Sequence, residues 1–475
     1  MTKAEKVDIC IIGAGSAGLS VAAGAAQLGA KTVLIEAGKM GGDCLNTGCV
    51  PSKSLLASAK AAETIRKAPH FGVEAGEPRV NFSRVHDYVH SVIAEIAPHD
   101  SVERFTGLGC RVIKARGRFL DPKTVEAGGQ TIQARRFVIA TGSRAAVPPI
   151  PGLDGVPFFT NESIFENTVL PEHLIVIGAG PIGCEMAQAH RRLGSKVSIL
   201  DLGPMMPKDD PEAVDVVRRR FAAEGIETKE TIKVLRVEKN DAGLSVIIRE
   251  GDRERRIDGS HLLIATGRRA NVENLGLEAA GVRYSPKGID VDARLRSSNK
   301  HIYAAGDVAG SYQFTHIAGY HAGIVIRNAL FRLPAKTSTK AVPWVTYTDP
   351  ELAQVGMNEA DARKAHGDSI RVVRAEFAEN DRAQTDSVKQ GFLKGILTKR
   401  GTIIGATIVG AHAGELILPW VLAVSKGLKI GDLANVIVPY PTLSEISKRA
   451  AGSYYTPTLF SPRTRAVVRF LGAFG

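Results

Sequence analysis

The sequence predicts an α/β protein built from two dinucleotide-binding βαβ units and a C-terminal α+β domain. Three observations predict it: a strand–glycine turn–helix pattern from Val7, a second copy of that pattern from His173, and two matching apolar strands ending in Ala-Thr-Gly, one after each copy. At 475 residues, 44% hydrophobic and 23% charged, the chain has the composition of a folded globular protein and is too long for one core. About three domains are expected.

The first unit reads "VDICIIGAGSAGLSVAAGAAQLGAKTVLIEAG". A β-branched run leads to Gly13, Gly15 and Gly18, an alanine-rich helix follows, and a second apolar strand ends in Glu36. This is the Rossmann fingerprint in order: glycines for the tight turn and the close approach of pyrophosphate, a helix N-terminus for the phosphates, and an acid for a ribose hydroxyl. The second unit, "HLIVIGAGPIGCEMAQAHRRLGSKVSILDLG", carries Gly178, Gly180, Gly183 and Asp201. The spacings agree, since 36 − 13 and 201 − 178 are both 23. A carboxylate at Asp201 repels a 2′-phosphate, so NAD(H) is expected there in preference to NADP(H), with NADP(H) kept open by Arg191 and Arg192 nearby.

"RFVIATGSR" (136–144) and "HLLIATGRR" (261–269) form the matched strand pair. Gly117, Thr141, Gly142 and Gly267 join the candidate cofactor contacts. "HIYAAGDVAGS" ends a strand at Asp307, whose carboxylate suits a polyol or ribose hydroxyl. The expected division is a first nucleotide domain over 1–150, the second over 151–271, a return to the first over 272–340, and an interface domain over 341–475.

The charge balance of 61 basic against 49 acidic residues, +12, suits anionic small molecules. The basic residues are scattered, with no aromatic-interleaved basic motif, so no nucleic-acid partner is expected. No run approaches the ~18 apolar residues of a membrane span, and the N-terminal apolar run leads straight into a glycine motif, so the expected location is cytoplasmic. The tail "SPRTRAVVRFLGAFG" sets Arg463, Arg465 and Arg469 among apolar residues and reads as an interface helix before a membrane contact.

Five cysteines are too few for a disulfide-stapled fold. Cys10, Cys110 and Cys184 sit in apolar or helical surroundings and read as core residues. Cys44 and Cys49 lie in "GGDCLNTGCVPSKSLLASAK", a glycine-rich loop entering a helix near Lys53. The helix N-terminus and Lys53 should lower the Cys49 pKa, and four intervening residues allow a small disulfide. No further thiolate or imidazole follows at metal-site spacing, so a redox pair is expected and no resident metal.

The run "GGDCLNTGCVPSK", with both fingerprints, "AAGD" and a closing "YPTLSE", resembles the class I pyridine nucleotide-disulfide oxidoreductases over nearly the whole chain. The resemblance implies FAD at the first site, held by Gly13, Gly15, Gly18, Glu36 and Asp307. It implies NAD(P)H at the second, and a homodimer whose active site takes residues from the partner's C-terminal domain. It also implies that Cys49 lies nearer the flavin, that Cys44 attacks the substrate, and that Lys53 pairs with Glu185 of "PIGCEMA" beside the flavin.

"IVPYPTLSEISKR" (437–449) departs from most of that family. Tyr440 is fixed between two prolines, where disulfide reductases of the family carry a histidine base oriented by a glutamate matching Glu445. A phenol of pKa near 10 is ionised only about one part in a thousand at pH 7, so it cannot replace that base. His412 in "GAHAGE" corresponds to no relay base. Mercuric reductases share the tyrosine, and "AENDRAQTD" (378–386) also resembles that branch, whereas this chain ends "RFLGAFG" without their terminal cysteine pair and without their N-terminal metal-binding domain. Electrons are therefore expected to pass from NAD(P)H through FAD to a Cys44–Cys49 disulfide, and on to a small-molecule or metal-ion acceptor. A dihydrolipoamide-type or other disulfide reductase, and a flavoprotein component of a larger complex, stand as alternatives.

Overall fold

The computed structural model describes residues 4–241, 243–310 and 312–474. It is a mixed α/β structure that divides into two compact units. One comprises the chain up to Leu202 together with Lys229–Ser338; the other comprises Gly203–Thr228 and the chain from Thr339.

The first unit holds both nucleotide-binding motifs. Strand Glu5–Ile12 runs parallel to Thr32–Glu36 on one side and Gln130–Ile139 on the other. Cys110–Lys114 and Ile302–Ala304 extend the sheet in parallel, and the antiparallel strands Thr124–Ala127 and Gly117–Asp121 finish one side. Ile9, Ile11 and Val138 are fully buried, which accounts for unbroken apolar runs where an alternating pattern would mark a half-exposed strand. The second motif repeats the plan, with His173–Ile177 flanked in parallel by Lys196–Leu200 and His261–Ile264. Both parallel sheets place the carboxyl ends of their central strands at a glycine turn, where open α/β sheets bind ligands.

The second unit is built on a five-stranded antiparallel sheet ordered Pro343–Thr346, Glu351–Gly356, Ile403–Gly410, Phe392–Thr398, Ile370–Glu376. Its core gathers Trp420, Phe377, Ile408 and Ile446. Residues 203–228 group with this unit, although their place in the sequence lies within the expected second nucleotide domain. Lys394, almost fully buried, holds them there by pairing with Asp210 and Glu212, each at 2.9 Å. The terminal helix Pro462–Leu471 buries none of its residues. Among the described residues no helix is long and apolar enough to cross a membrane. Cys10, Cys110 and Cys184 are buried, as their surroundings led one to expect.

Candidate active site

The glycine turns explain their own composition. At Gly13 (φ +107°) a Cβ would lie 2.3 Å from the Ala140 carbonyl oxygen, and at Gly178 (φ +116°) 2.4 Å from that of Ala265. Each first glycine thus packs against an Ala-Thr-Gly strand end, which is why the two motifs travel together. The third glycines, Gly18 and Gly183, would place a Cβ 1.8 and 1.9 Å from the carbonyl oxygens of Gly13 and Gly178. The middle glycines differ. A Cβ on Gly15 would meet nothing nearer than the Gly42 Cα at 3.8 Å, and one on Gly180 nothing within 4 Å. Each is the N-cap of its helix, Ser16–Gln27 or Pro181–Leu193, and no side chain caps either. Two helix N-termini with open amides above a cleared turn fit two pyrophosphates.

Glu36 and Asp201 occupy equivalent posts. Glu36 accepts the Ala14 N–H through Oε2 at 2.5 Å and the Gly38 N–H through Oε1 at 2.5 Å. Asp201 accepts the Ala179 N–H through Oδ2 at 2.5 Å. Each acid therefore braces its own glycine turn, a job beyond the expected ribose contact. Gly142 (φ +68°) and Gly267 (φ +124°) take left-handed backbone, and the Thr141 hydroxyl donates to the Asn271 carbonyl at 2.7 Å. Gly117 is explained by packing: a Cβ would meet the Ile12 and Ile35 side chains at 3.3 Å.

The cysteine loop lies in the same unit. Cys44 sits in the short helix Gly42–Asn46, and Cys49 opens the helix Cys49–Lys67. Cys49 is exposed and Cys44 half-buried. The Cys49 thiol is lowered to about 6 chiefly by a hydrogen bond from Cys44, with Thr315 and then the Lys53 ammonium adding to it against the cost of burial. Cys44 is pushed up in turn, first by that same contact and then by burial. The pair is therefore asymmetric, with thiolate at Cys49 and a protonated donor at Cys44. Lys53, one turn along, donates to the nearly buried Glu185 at 2.7 Å, so the expected ion pair forms between residues 132 apart in sequence.

Four residues that the sequence reading did not single out complete this region. Thr315 Oγ1 stands 3.5 Å from Cys49 Sγ, across a separation of 266 residues. Asp43 accepts from Thr47 Oγ1 at 2.8 Å and from Asn161 Nδ2 at 3.2 Å, and pairs with Arg268 at 3.2 Å. Arg268 also reaches Asp307 at 3.8 Å and donates to Ser143 Oγ at 2.8 Å, while Ser143 donates to Asp307. Burial raises the Asp307 pKa against the help of Ser143 and Arg268. A ligand hydroxyl donating to this buried carboxylate would add to the partners it already has. Asp43 adjoins Cys44 inside the quoted loop and was visible there; Thr315 carries no local signal.

Tyr440 and Glu445 belong to the second unit. Tyr440 is 70% exposed, and its hydroxyl donates to Asp381 Oδ2 at 2.9 Å, which raises its pKa. Glu445, the counterpart of the glutamate that orients the family's histidine, accepts the Thr442 N–H at 3.4 Å at the start of its own helix, while Asp381 holds the phenol and the Glu445 charge adds to the rise in its pKa.

Residues 7–322 match the pyridine nucleotide-disulphide oxidoreductase family, and residues 342–451 match its dimerisation domain. The chain belongs to this family. It is 34% identical over 447 residues to a mercuric reductase of Staphylococcus aureus, covering 94% of this chain and 82% of that one. It is 35% identical over 462 residues to a dihydrolipoyl dehydrogenase of Thermus scotoductus, covering 94% and 96%. Among solved structures it resembles the Cu(II) complex of the HOCl-induced flavoprotein disulfide reductase RclA from Escherichia coli, with a TM-score of 0.85 at 27% identity over 94% of this chain and 99% of that one. It also resembles LpdA from Mycobacterium tuberculosis, with a TM-score of 0.86 at 28% identity over 95% and 99%. The chain is thus a flavoprotein oxidoreductase of the mercuric reductase and lipoamide dehydrogenase type, in a family that uses FAD and NAD(P)H. The dimerisation match supports a homodimer.

Proposed function

We propose that this enzyme carries reducing equivalents from NADH through FAD to a Cys44–Cys49 disulfide, and from the dithiol to a thiophilic metal ion. It works as a cytoplasmic homodimer, with nucleotide domains over 1–150 with 272–340 and over 151–271, and an interface domain over 341–475. Bound at the Gly13–Gly18 turn, FAD supplies the two-electron relay between nicotinamide and disulfide. The chain's own residues do the rest. Lys53, paired with Glu185, sets a positive charge beside Cys49 and favours its thiolate. Cys44, protonated and hydrogen-bonded to it, is the thiol left to meet the acceptor.

The single observation that carries the choice of acceptor is the state of Tyr440. Its hydroxyl is committed as a donor to Asp381, and its pKa is raised, so near neutral pH it stays protonated and takes no proton from a thiol. General acid–base help is worth ~10²- to 10⁴-fold in a dithiol–disulfide exchange. Release of a soft ion from two sulfurs needs no such shuttle, and soft ions prefer thiolate ligands. On this reading the partner subunit's Tyr440 stands at the site as a hydrogen-bonding wall.

The deciding experiment is NADH oxidation by the FAD-loaded enzyme with lipoamide, a quinone, Hg(II) or Cu(II) as acceptor, beside Cys44→Ser. Rapid turnover of a metal ion that collapses in the variant supports the proposal. Rapid lipoamide turnover instead would establish the disulfide-reductase alternative. An unchanged rate in Cys44→Ser with every acceptor would mean that electrons leave without the thiols.

A further inference from the structure

Away from the cysteines, we infer that His86, His90 and Glu166 form a binding site for a divalent transition-metal ion. The helix Phe82–Ile96 carries "HDYVH", whose two histidines, four residues apart, lie on one helical face. Their ring centroids are 4.2 Å apart. Glu166 ends the short 3-10 turn Ile164–Glu166 and brings Oε2 to 3.9 Å from His90 Nε2. One ligand atom from each of the three residues falls within 4.8 Å of the others. A tetrahedral zinc with bonds of about 2.0–2.1 Å needs its ligand atoms about 3.3 Å apart. The three groups thus have to close by up to about 1.5 Å, a change within the reach of side-chain rotation.

The backbone beneath them is set. Asn81 caps the helix by accepting the Arg84 N–H, Phe82 and Val89 bury its inner face, and Ile164 and Phe165 anchor the turn in the core. The surroundings also suit a metal. His86 Nδ1 lies 3.3 Å from Asp87 Oδ1, the carboxylate–histidine pairing that fixes a tautomer and leaves Nε2 to bind. His90 Nε2 lies 3.1 Å from the Phe165 carbonyl oxygen, a hydrogen bond in which only the imidazole N–H can donate, so binding an ion through Nε2 exchanges that bond for the metal. Two imidazoles with one carboxylate and room for water is a donor set for zinc or copper(II), not for magnesium or calcium. Such an ion would clip the helix to the turn, across 76 residues between His90 and Glu166. Nothing here depends on the identity of the electron acceptor.

The test uses the FAD-loaded Cys44→Ser/Cys49→Ser enzyme, so that thiols do not compete. Zinc(II) is titrated calorimetrically, and copper(II) is followed by electron paramagnetic resonance for nitrogen coupling. One equivalent per chain with imidazole coupling is expected, weakened more than about tenfold by His86→Ala or His90→Ala and less by Glu166→Gln. Retained flavin absorbance reports folding, and His86→Gln serves if the alanine variant fails. Absence of saturable binding, or binding that the two histidine substitutions leave unchanged, would overturn the assignment.

Discussion

Two neighbours make Cys49 acidic, and they can be removed one at a time. In the reduced enzyme, thiolate absorbance should titrate near pH 6, well below an ordinary thiol. Cys44→Ala should raise that midpoint more than Lys53→Met, because the Cys44 hydrogen bond is the larger cause. The sign follows: with the folded pKa depressed, this group stabilises the reduced enzyme fully above the ordinary thiol range, and that stabilisation is lost as pH falls through 6. Lys53→Met also leaves the Glu185 carboxylate, 6% exposed, without its ammonium partner. Thermal or denaturant unfolding should register a loss of about 2 kcal/mol, largely restored by adding Glu185→Gln. At residue 440, Tyr440→His should raise lipoamide turnover. If it does not, the proton-relay account of the acceptor fails.

At the scale of elements, the two glycine turns can be broken separately. Alanine at 13 or 178 has to put its Cβ against a backbone carbonyl from an unfavourable φ. Gly13→Ala should therefore be purified without flavin colour. Gly178→Ala should stay yellow while its KM for NADH rises more than about tenfold, a split read by absorbance and steady-state kinetics. These turns were legible in sequence because each is a contiguous pattern imposed by local sterics. So was the cysteine loop, whose helix entry sits inside the motif. The joining of Asp43, Arg268, Asp307 and Ser143 was not, because Asp43 comes from the cysteine loop and the other three from the ends of separate strands, which meet only in the folded chain. Asp381 stood in the quoted "AENDRAQTD", but what it would hold depended on a tyrosine 59 residues away.

For the molecule as a whole, His190 sets a floor on the acid side. Burial lowers its pKa to about 4, so between pH 6.5 and 4 the unfolded chain binds a proton that the folded one refuses. Stability is fully present above the unfolded value and falls as pH drops through that window, by on the order of 3 kcal/mol. Chemical denaturation at pH 7 and pH 4.5 should show this loss, and His190→Leu should flatten it. Homodimerisation predicts twice the chain mass in light scattering. Finally, Glu36 and Asp201 each hold the amide after the first glycine of their turn. Each phosphate cradle is therefore held by the chain's own carboxylate as well as by its ligand, which leaves less ordering entropy to spend on capture. The nicotinamide dinucleotide, which must come and go once per cycle, can then exchange at rates set by its own contacts, with no folding of a loop in the way.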